Sequence, residues 1–368
     1  MARAMNFNAG PAALPLAALE RAREELLDFE GSGMSVMEHS HRGKVYEKVH
    51  HEALGLVAEL LGVSRDVYDV LFLQGGASMA FATIPMNFLE GGKTADYVQT
   101  GAWGEKAIAE ARSVGTLMGG RVNTSASTTT TVPNQADLRL TDGAAYVHCT
   151  SNETIHGVEY GLEASTPFPK TTGAPLFVDM SSDILGRVVD NTQFDMIYAG
   201  AQKNIGPSGV TIFVAKKELV ERGRKAIPVI FQLRTHAKND SLYNTPPTFG
   251  IYLVRNTLSW LKAEGGVSAM EARNRKKAGA IYEAIDGSGG FYKCPVAKPS
   301  RSIMNVVWRL PSEELEEKFV KEATAQKMIG LKGHRSVGGI RASLYNAVEP
   351  AWCDALASFM KEFASKNG

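Results

Sequence analysis

The feature that most constrains how this chain can fold is a series of short apolar runs with few polar side chains to turn toward water. They read DVLFLQ, ADYVQT, AAYVHCT, PLFVDM, FDMIYAGA and VTIFVA. A strand with one wet face alternates polar and apolar residues, whereas a continuous run suits a strand covered on both faces. Helix-like stretches such as residues 78 to 89 and 103 to 115 separate several of the runs. The expected architecture is therefore α/β, a mostly parallel sheet with helices on both sides. A helix is expected after Pro15, where Leu16, Leu19, Ala22, Leu26 and Phe29 recur at helical spacing. A second should cover residues 44 to 61 and stop at Gly62. SASTTTTVPN, residues 125 to 134, reads as a polar loop or an exposed extended stretch.

Beyond about residue 262 the texture changes. A charged helix over 267 to 286 leads into a Gly-, Pro- and Ser-rich stretch. A strand (SIMNVVWRL), a helix (PSEELEEKFVKEATAQ), a strand (GIRASLY) and an amphipathic last helix follow. We expect a large α/β domain over residues 16 to 262. Residues 263 to 368, with the N-terminal segment 1 to 15, form a smaller α+β domain.

Composition narrows the function by exclusion. Forty Lys and Arg against 39 Asp and Glu leave a formal charge of +1, which gives no global attraction to nucleic acid or anionic membrane. Cys149, Cys294 and Cys353 are far apart and odd in number, so they suggest neither a disulfide framework nor a metal site. The N-terminus lacks an apolar signal region, and no stretch approaches the roughly 20 apolar residues that span a bilayer. A cytoplasmic protein is expected.

In an open parallel sheet, ligands collect at the carboxyl ends of the strands. Four polar groups fall there: Gln74 to Ser78, Thr150 to Thr154, Asp179, and Gln202 with Lys203. A lysine that forms an imine with a cofactor aldehyde, and a carboxylate that keeps a pyridine nitrogen protonated, are what pyridoxal phosphate chemistry needs. QGGASMAF would present backbone N–H groups of Gly75, Gly76, Ala77 and Ser78 at a helix start, a phosphate cradle. Trp103 could stack on a flat ring. Two His-Arg pairs, His41–Arg42 and His334–Arg335, lie in glycine-containing loops, and Arg341 follows the second. Their planar forks suit a doubly anionic substrate. Taken singly, each feature has a plainer reading: a helix cap, a surface lysine, core packing, or ordinary salt bridges.

Together the segments resemble one family, the phosphoserine aminotransferases, fold-type I pyridoxal phosphate enzymes of the class V aminotransferases. The matching runs include FNAGPAALP, SHRGKVYE, QGGAS, GAWGEKA, NETIHGVEY, DMSSDILGR, AGAQKNIGPSGV, YNTPPTFGIYL and GHRSVGGIRASLYNA, from Phe7 to about Ala347. The resemblance implies Lys203 as the catalytic lysine and Asp179 as partner of the pyridinium nitrogen. It places Trp103 on the ring and Thr154 on the 3-oxygen. Ala77, Ser78 and Gln202 would hold the phosphate, aided by Asn244 and Thr245 from a neighbouring subunit, so a homodimer is implied. Arg341 would take the substrate α-carboxylate, and His41, Arg42, His334 and Arg335 the distal phosphate or γ-carboxylate. The implied reaction links glutamate and 3-phosphohydroxypyruvate to phosphoserine and 2-oxoglutarate in serine biosynthesis. Action on 3-hydroxy-2-oxo-4-phosphooxybutanoate in pyridoxine biosynthesis is implied as well. Some members carry Ser at the position of Ala9 and Arg at that of Ser78, and the second change removes one possible phosphate-pocket cation.

Within the same fold an alanine–glyoxylate-type aminotransferase competes, as does a non-catalytic protein that only binds the cofactor. A desulfurase lacks its loop cysteine, since Cys353 falls in the last helix. A dinucleotide-binding dehydrogenase lacks G-x-G-x-x-G after the first strand.

Overall fold

The computed structural model describes residues 3 to 368. Its centre is a seven-stranded sheet. The strands are β1 (Tyr68–Leu73), β2 (Thr94–Gln99), β3 (Arg121–Ser127), β4 (Val147–Thr150), β5 (Leu176–Asp179), β6 (Met196–Gly200) and β7 (Thr211–Lys216). They lie side by side in the order β1-β7-β6-β5-β4-β2-β3.

The unbroken apolar runs are explained by what each face buries. Val70, Phe72, Val98, Val147, Val178, Ile197 and Ile212 pack on one side. Their chain neighbours Leu71, Tyr97, Tyr146, Phe177, Tyr198 and Phe213 pack on the other. Successive strand residues point to opposite faces, so two dry faces demand apolar residues throughout. Helices α2 (Lys44–Leu61) and α7 (Thr248–Ala263) line the first face, and α3 (Gly76–Phe88) with α4 (Ala102–Met118) lines the second.

Two expectations are sharpened and one is corrected. VTIFVA forms β7, which runs antiparallel to both of its neighbours. Only the ten residues from 201 to 210 connect β6 to β7, and a parallel crossover needs a dozen or more. The stretch beginning at Ser125 is not simply a loop, because Arg121–Ser127 pairs in parallel with β2 as the sheet's edge. Its polar side chains hide the strand from a hydrophobic pattern while suiting an edge exposed to water. Helix α1 spans Leu16–Glu24 and stops short of Phe29. Leu27 is 83% exposed, and Gly31 and Gly33 adopt positive φ, so the apolar spacing there marks a turn.

Two short helices, α5 (Lys217–Arg222) and α6 (Leu233–Ala237), precede α7. After α7 come α8 (Gly266–Asp286), β8 (Asn305–Trp308), α9 (Glu313–Ala325), β9 (Ile340–Ser343) and α10 (Pro350–Asn367). These surround a separate apolar cluster that includes Ile281, Trp308, Phe319, Leu356 and Phe363. Phe7 and Ala13 join that cluster, and Met5–Asn6 pairs in parallel with Met328–Ile329. The N-terminal segment then crosses to the sheet, where Ala12 N–H donates to the Gln202 carbonyl at 3.0 Å.

Candidate active site

The carboxyl ends of the parallel strands converge as the sequence suggested. Thr150, at the end of β4, pairs with Asp179, at the end of β5, and Asp179 pairs with Tyr198 of β6. β6 ends at Gly200, so the turn to β7 brings Lys203 over the same edge.

The Lys203 Nζ donates to the Thr154 hydroxyl at 2.7 Å and lies 4.6 Å from the centroid of the Trp103 ring. Burial pushes the amine down to about 8, while the negative charges of Asp179 and Glu153 pull it back up. Asp179 is 3% exposed; burial raises its pKa, and the charge of Lys203 and two hydrogen bonds from Ser181 oppose that rise. Those bonds run from the Ser181 N–H at 2.9 Å and its hydroxyl at 2.5 Å to Asp179 Oδ1. The backbone of residue 10 passes close by: a Cβ on Gly10 would stand 3.2 Å from Lys203 Cγ.

Across the edge, β1 leads through Gln74 into α3. Gly75 at φ +91° and Gly76 at φ +66° make the turn, and no side chain caps the helix. The first-turn N–H groups are therefore free for an anion. The Gln202 side chain reaches this turn, since a Cβ on Gly76 would meet its Nε2 at 3.9 Å. Among the described residues, the buried Gln202 Oε1, Trp103 Nε1 and Arg341 Nε have no hydrogen-bond partner. A buried polar atom without a partner costs about 1–3 kcal/mol, and a bound polar ligand removes that cost. A cavity of about 270 Å³ brings Arg341 together with His334, His156 and Trp308.

Other candidates lie apart from this group. Asn244 and Thr245 sit at Gln74, whose Nε2 donates to the Thr245 carbonyl at 3.2 Å within the same chain. His41 and Arg42 precede α2, and among the described residues no hydrogen bond or ion pair links them to Lys203, Arg341 or His334. The buried His41 Nε2 has no hydrogen-bond partner among the described residues.

Sequence reasoning missed Glu153. It is fully buried, accepts from the N–H groups of Trp103 at 3.1 Å and Gly104 at 2.8 Å, and is pushed up to about 7 mainly by burial. A Cβ on Gly101 would strike its carboxylate at 2.7 Å. The run NETIHG held the signal: a carboxylate one residue before Thr154, at a strand end. Tyr345 was missed too; its hydroxyl donates to the Ala9 carbonyl at 2.8 Å and accepts from Asn305 Nδ2 at 3.3 Å.

Residues 4–356 match the model of the family described as Aminotransferase class-V. The phosphoserine aminotransferase of Niallia circulans is 52% identical over 366 residues, covering 100% of this chain and 99% of that protein. That of Geobacillus kaustophilus is 54% identical over 363 residues, covering 99% of each. The solved phosphoserine aminotransferase from Bacillus circulans subsp. alkalophilus superimposes with a TM-score of 0.95 at 52% identity, over 100% of this chain and 99% of that one. A second, studied for radiation damage of its Schiff base, gives 0.94 at 49% identity, over 99% and 100%. An alanine–glyoxylate aminotransferase from Nostoc sp., at 17% identity and 0.77, shares the fold.

Proposed function

The chain belongs to the class-V aminotransferases, and on that premise we propose that it is a pyridoxal phosphate enzyme exchanging an amino group between glutamate and 3-phosphohydroxypyruvate. The products are 2-oxoglutarate and phosphoserine. What supports the reading most is the placement of Lys203: a half-buried amine of lowered pKa, bonded to Thr154, beside a buried carboxylate and facing an indole ring.

The residues fit the cofactor. The α3 N-terminus, which no side chain caps, would hold the phosphate through its N–H groups, with Ala77, Ser78 and Gln202 around it. Asp179, held by Ser181, would partner the ring nitrogen; Trp103 would stack on the ring, and Thr154 would serve the 3-oxygen. When bound, pyridoxal phosphate supplies an aldehyde that condenses with amines and a ring that accepts electrons. Lys203 would hold the group through its amine. The same Nζ would accept the substrate α-proton and give it back, which a pKa near neutrality favours. Arg341 takes the α-carboxylate, and His334 and Arg335, with His41 and Arg42, take the distal anion. The same pocket suits 3-hydroxy-2-oxo-4-phosphooxybutanoate, whose phosphate lies one carbon further on.

Residues 16–262 act as the cofactor-binding domain and 263–368, with 1–15, as the smaller one; the separate apolar clusters support that division. We read the working form as a homodimer. Exposed Met79 and Ile230 line a hollow beside the cradle together with Asn244, next to exposed Tyr243, which supports an interface there.

The test is direct. Purified protein should carry the cofactor's visible absorbance and convert phosphoserine with 2-oxoglutarate; Lys203→Ala should lose both. Retention of both by that variant, or no turnover by wild type, overturns the assignment.

A further inference from the structure

Arg341 and the His334–Arg335 loop are two ends of one built unit. Strand β8 pairs antiparallel with β9, so Val307 faces Arg341 and Trp308 faces Ile340. Just before β9, residues 333 to 339 form a loop whose neck is closed by Gly333 N–H donating to the Gly339 carbonyl at 2.8 Å. Within it, the N–H groups of Val337 and Gly338 both donate to the His334 carbonyl, at 3.0 and 2.8 Å.

Two side chains hold this loop from outside. Arg309, the residue after β8, donates from Nη1 to the Val337 carbonyl at 2.7 Å and from Nε to Glu316 Oε1 at 2.7 Å. Glu316, 7% exposed on α9, accepts from Gly339 N–H through Oε2 at 3.1 Å and from Leu310 N–H through Oε1 at 3.3 Å. The backbone lies tight against this pair: a Cβ on Gly339 would stand 2.7 Å from Arg309 Cδ and 2.9 Å from the Trp308 carbonyl. Gly338 and Gly339 also have φ of +69° and +73°, which a side chain would strain. An ordinary stabilising ion pair joins two elements; this one grips the backbone of the loop that carries two anion-binding candidates. The loop's stem continues directly into the strand that carries the third.

We propose that Arg309 and Glu316 are positioning residues that fix the span between Arg341 and the His334–Arg335 loop, and so select substrates by the separation of their two anionic groups. The proposal rests on the reading that Arg341 takes the α-carboxylate and the loop the distal anion. Neither side chain need touch the substrate. Loosening either lets the distal cations wander, which weakens a dianionic substrate and leaves one with a single anion unaffected.

The test uses the holoenzyme with Arg309→Ala and Glu316→Gln, and with Arg309→Lys, which keeps the charge without the two-pronged reach. Steady-state constants are measured for phosphoserine, glutamate, aspartate (one methylene shorter) and alanine. KM for phosphoserine and glutamate should rise about tenfold, as expected on losing a charge-assisted hydrogen bond. The kcat should stay within about twofold. The preference for glutamate over aspartate should narrow, and kcat/KM for alanine should hold. Equal loss on all four substrates points to a merely structural role and overturns the proposal, as does an intact preference in every variant. A wild-type enzyme that does not prefer dianionic substrates overturns the underlying reading and this proposal with it.

Discussion

At Lys203, burial and charge pull in opposite directions, and burial wins, leaving the amine at about 8. Below that pH the side chain is mostly the ammonium form; above it, the free amine. In the cofactor-free protein, labelling of Lys203 by an amine-selective reagent, read by mass spectrometry, should therefore rise with a midpoint near 8. Asp179 raises the pKa, so Asp179→Asn removes a stabilising charge and the midpoint should move to lower pH. A midpoint near the ordinary lysine value of about 10.4 in wild type shows that burial does not control this amine. Glu153 supplies a second prediction. Its carboxylate accepts from two N–H groups at the start of α4, and an amide accepts well from only one. Glu153→Gln should weaken cofactor binding about tenfold, measured by titrating the cofactor-free protein. Unchanged affinity means the Trp103 ring is placed without Glu153.

Among the elements, legibility followed burial. Strands β1, β2 and β4 to β7 could be read because both faces are dry and each residue type repeats that fact. Strand β3 could not, because its polar side chains carry no pattern separating an edge strand from a loop. The direction of β7 was likewise invisible in its own residues; it follows from the length of the connection before it. At the site, Asp179 and Lys203 stood at strand ends and could be found by position. Glu153 was visible as a carboxylate beside Thr154, but its bonds to the start of α4, like those of Tyr345 and the bond from the Gly200 N–H to the Ser181 hydroxyl, join distant segments, which no local pattern encodes. Lys277 on α8 belongs to this hidden class. Fully buried, it donates to the carbonyls of Leu344 and Tyr345 at 2.8 Å each and of Val348 at 3.2 Å. It thereby ties α8 to the chain leaving β9. Lys277→Met matches it in bulk but leaves the buried Leu344 and Val348 carbonyls without a donor, while that of Tyr345 keeps the Val348 N–H at 2.8 Å, so stability should fall by about 2 kcal/mol, measured by urea denaturation. A loss under about 1 kcal/mol means that water or rearrangement satisfies those carbonyls.

For the whole molecule, the open question is which chain completes which site. Lys203, Asp179, Trp103 and Arg341 gather within one chain, yet Arg42 has no bond to any of them. The proposed homodimer resolves this if Arg42 of one subunit serves the Lys203 of the other. Mixing then discriminates. Lys203→Ala and Arg42→Ala homodimers would each contain two defective sites. In a heterodimer one site collects both defects, and the other is fully wild type. Random reassortment makes about half the dimers mixed, each with one good site of two, so activity on phosphoserine should recover to about a quarter of wild type. The two proteins must first be dissociated and refolded together, because subunits that never exchange cannot complement. If Arg42 instead serves its own chain, each heterodimer site carries one defect and no activity beyond the average of the two parents returns. The same mixture assayed with alanine provides the control: with no distal anion for Arg42 to bind, the Arg42→Ala parent should already be active, and mixing should add nothing.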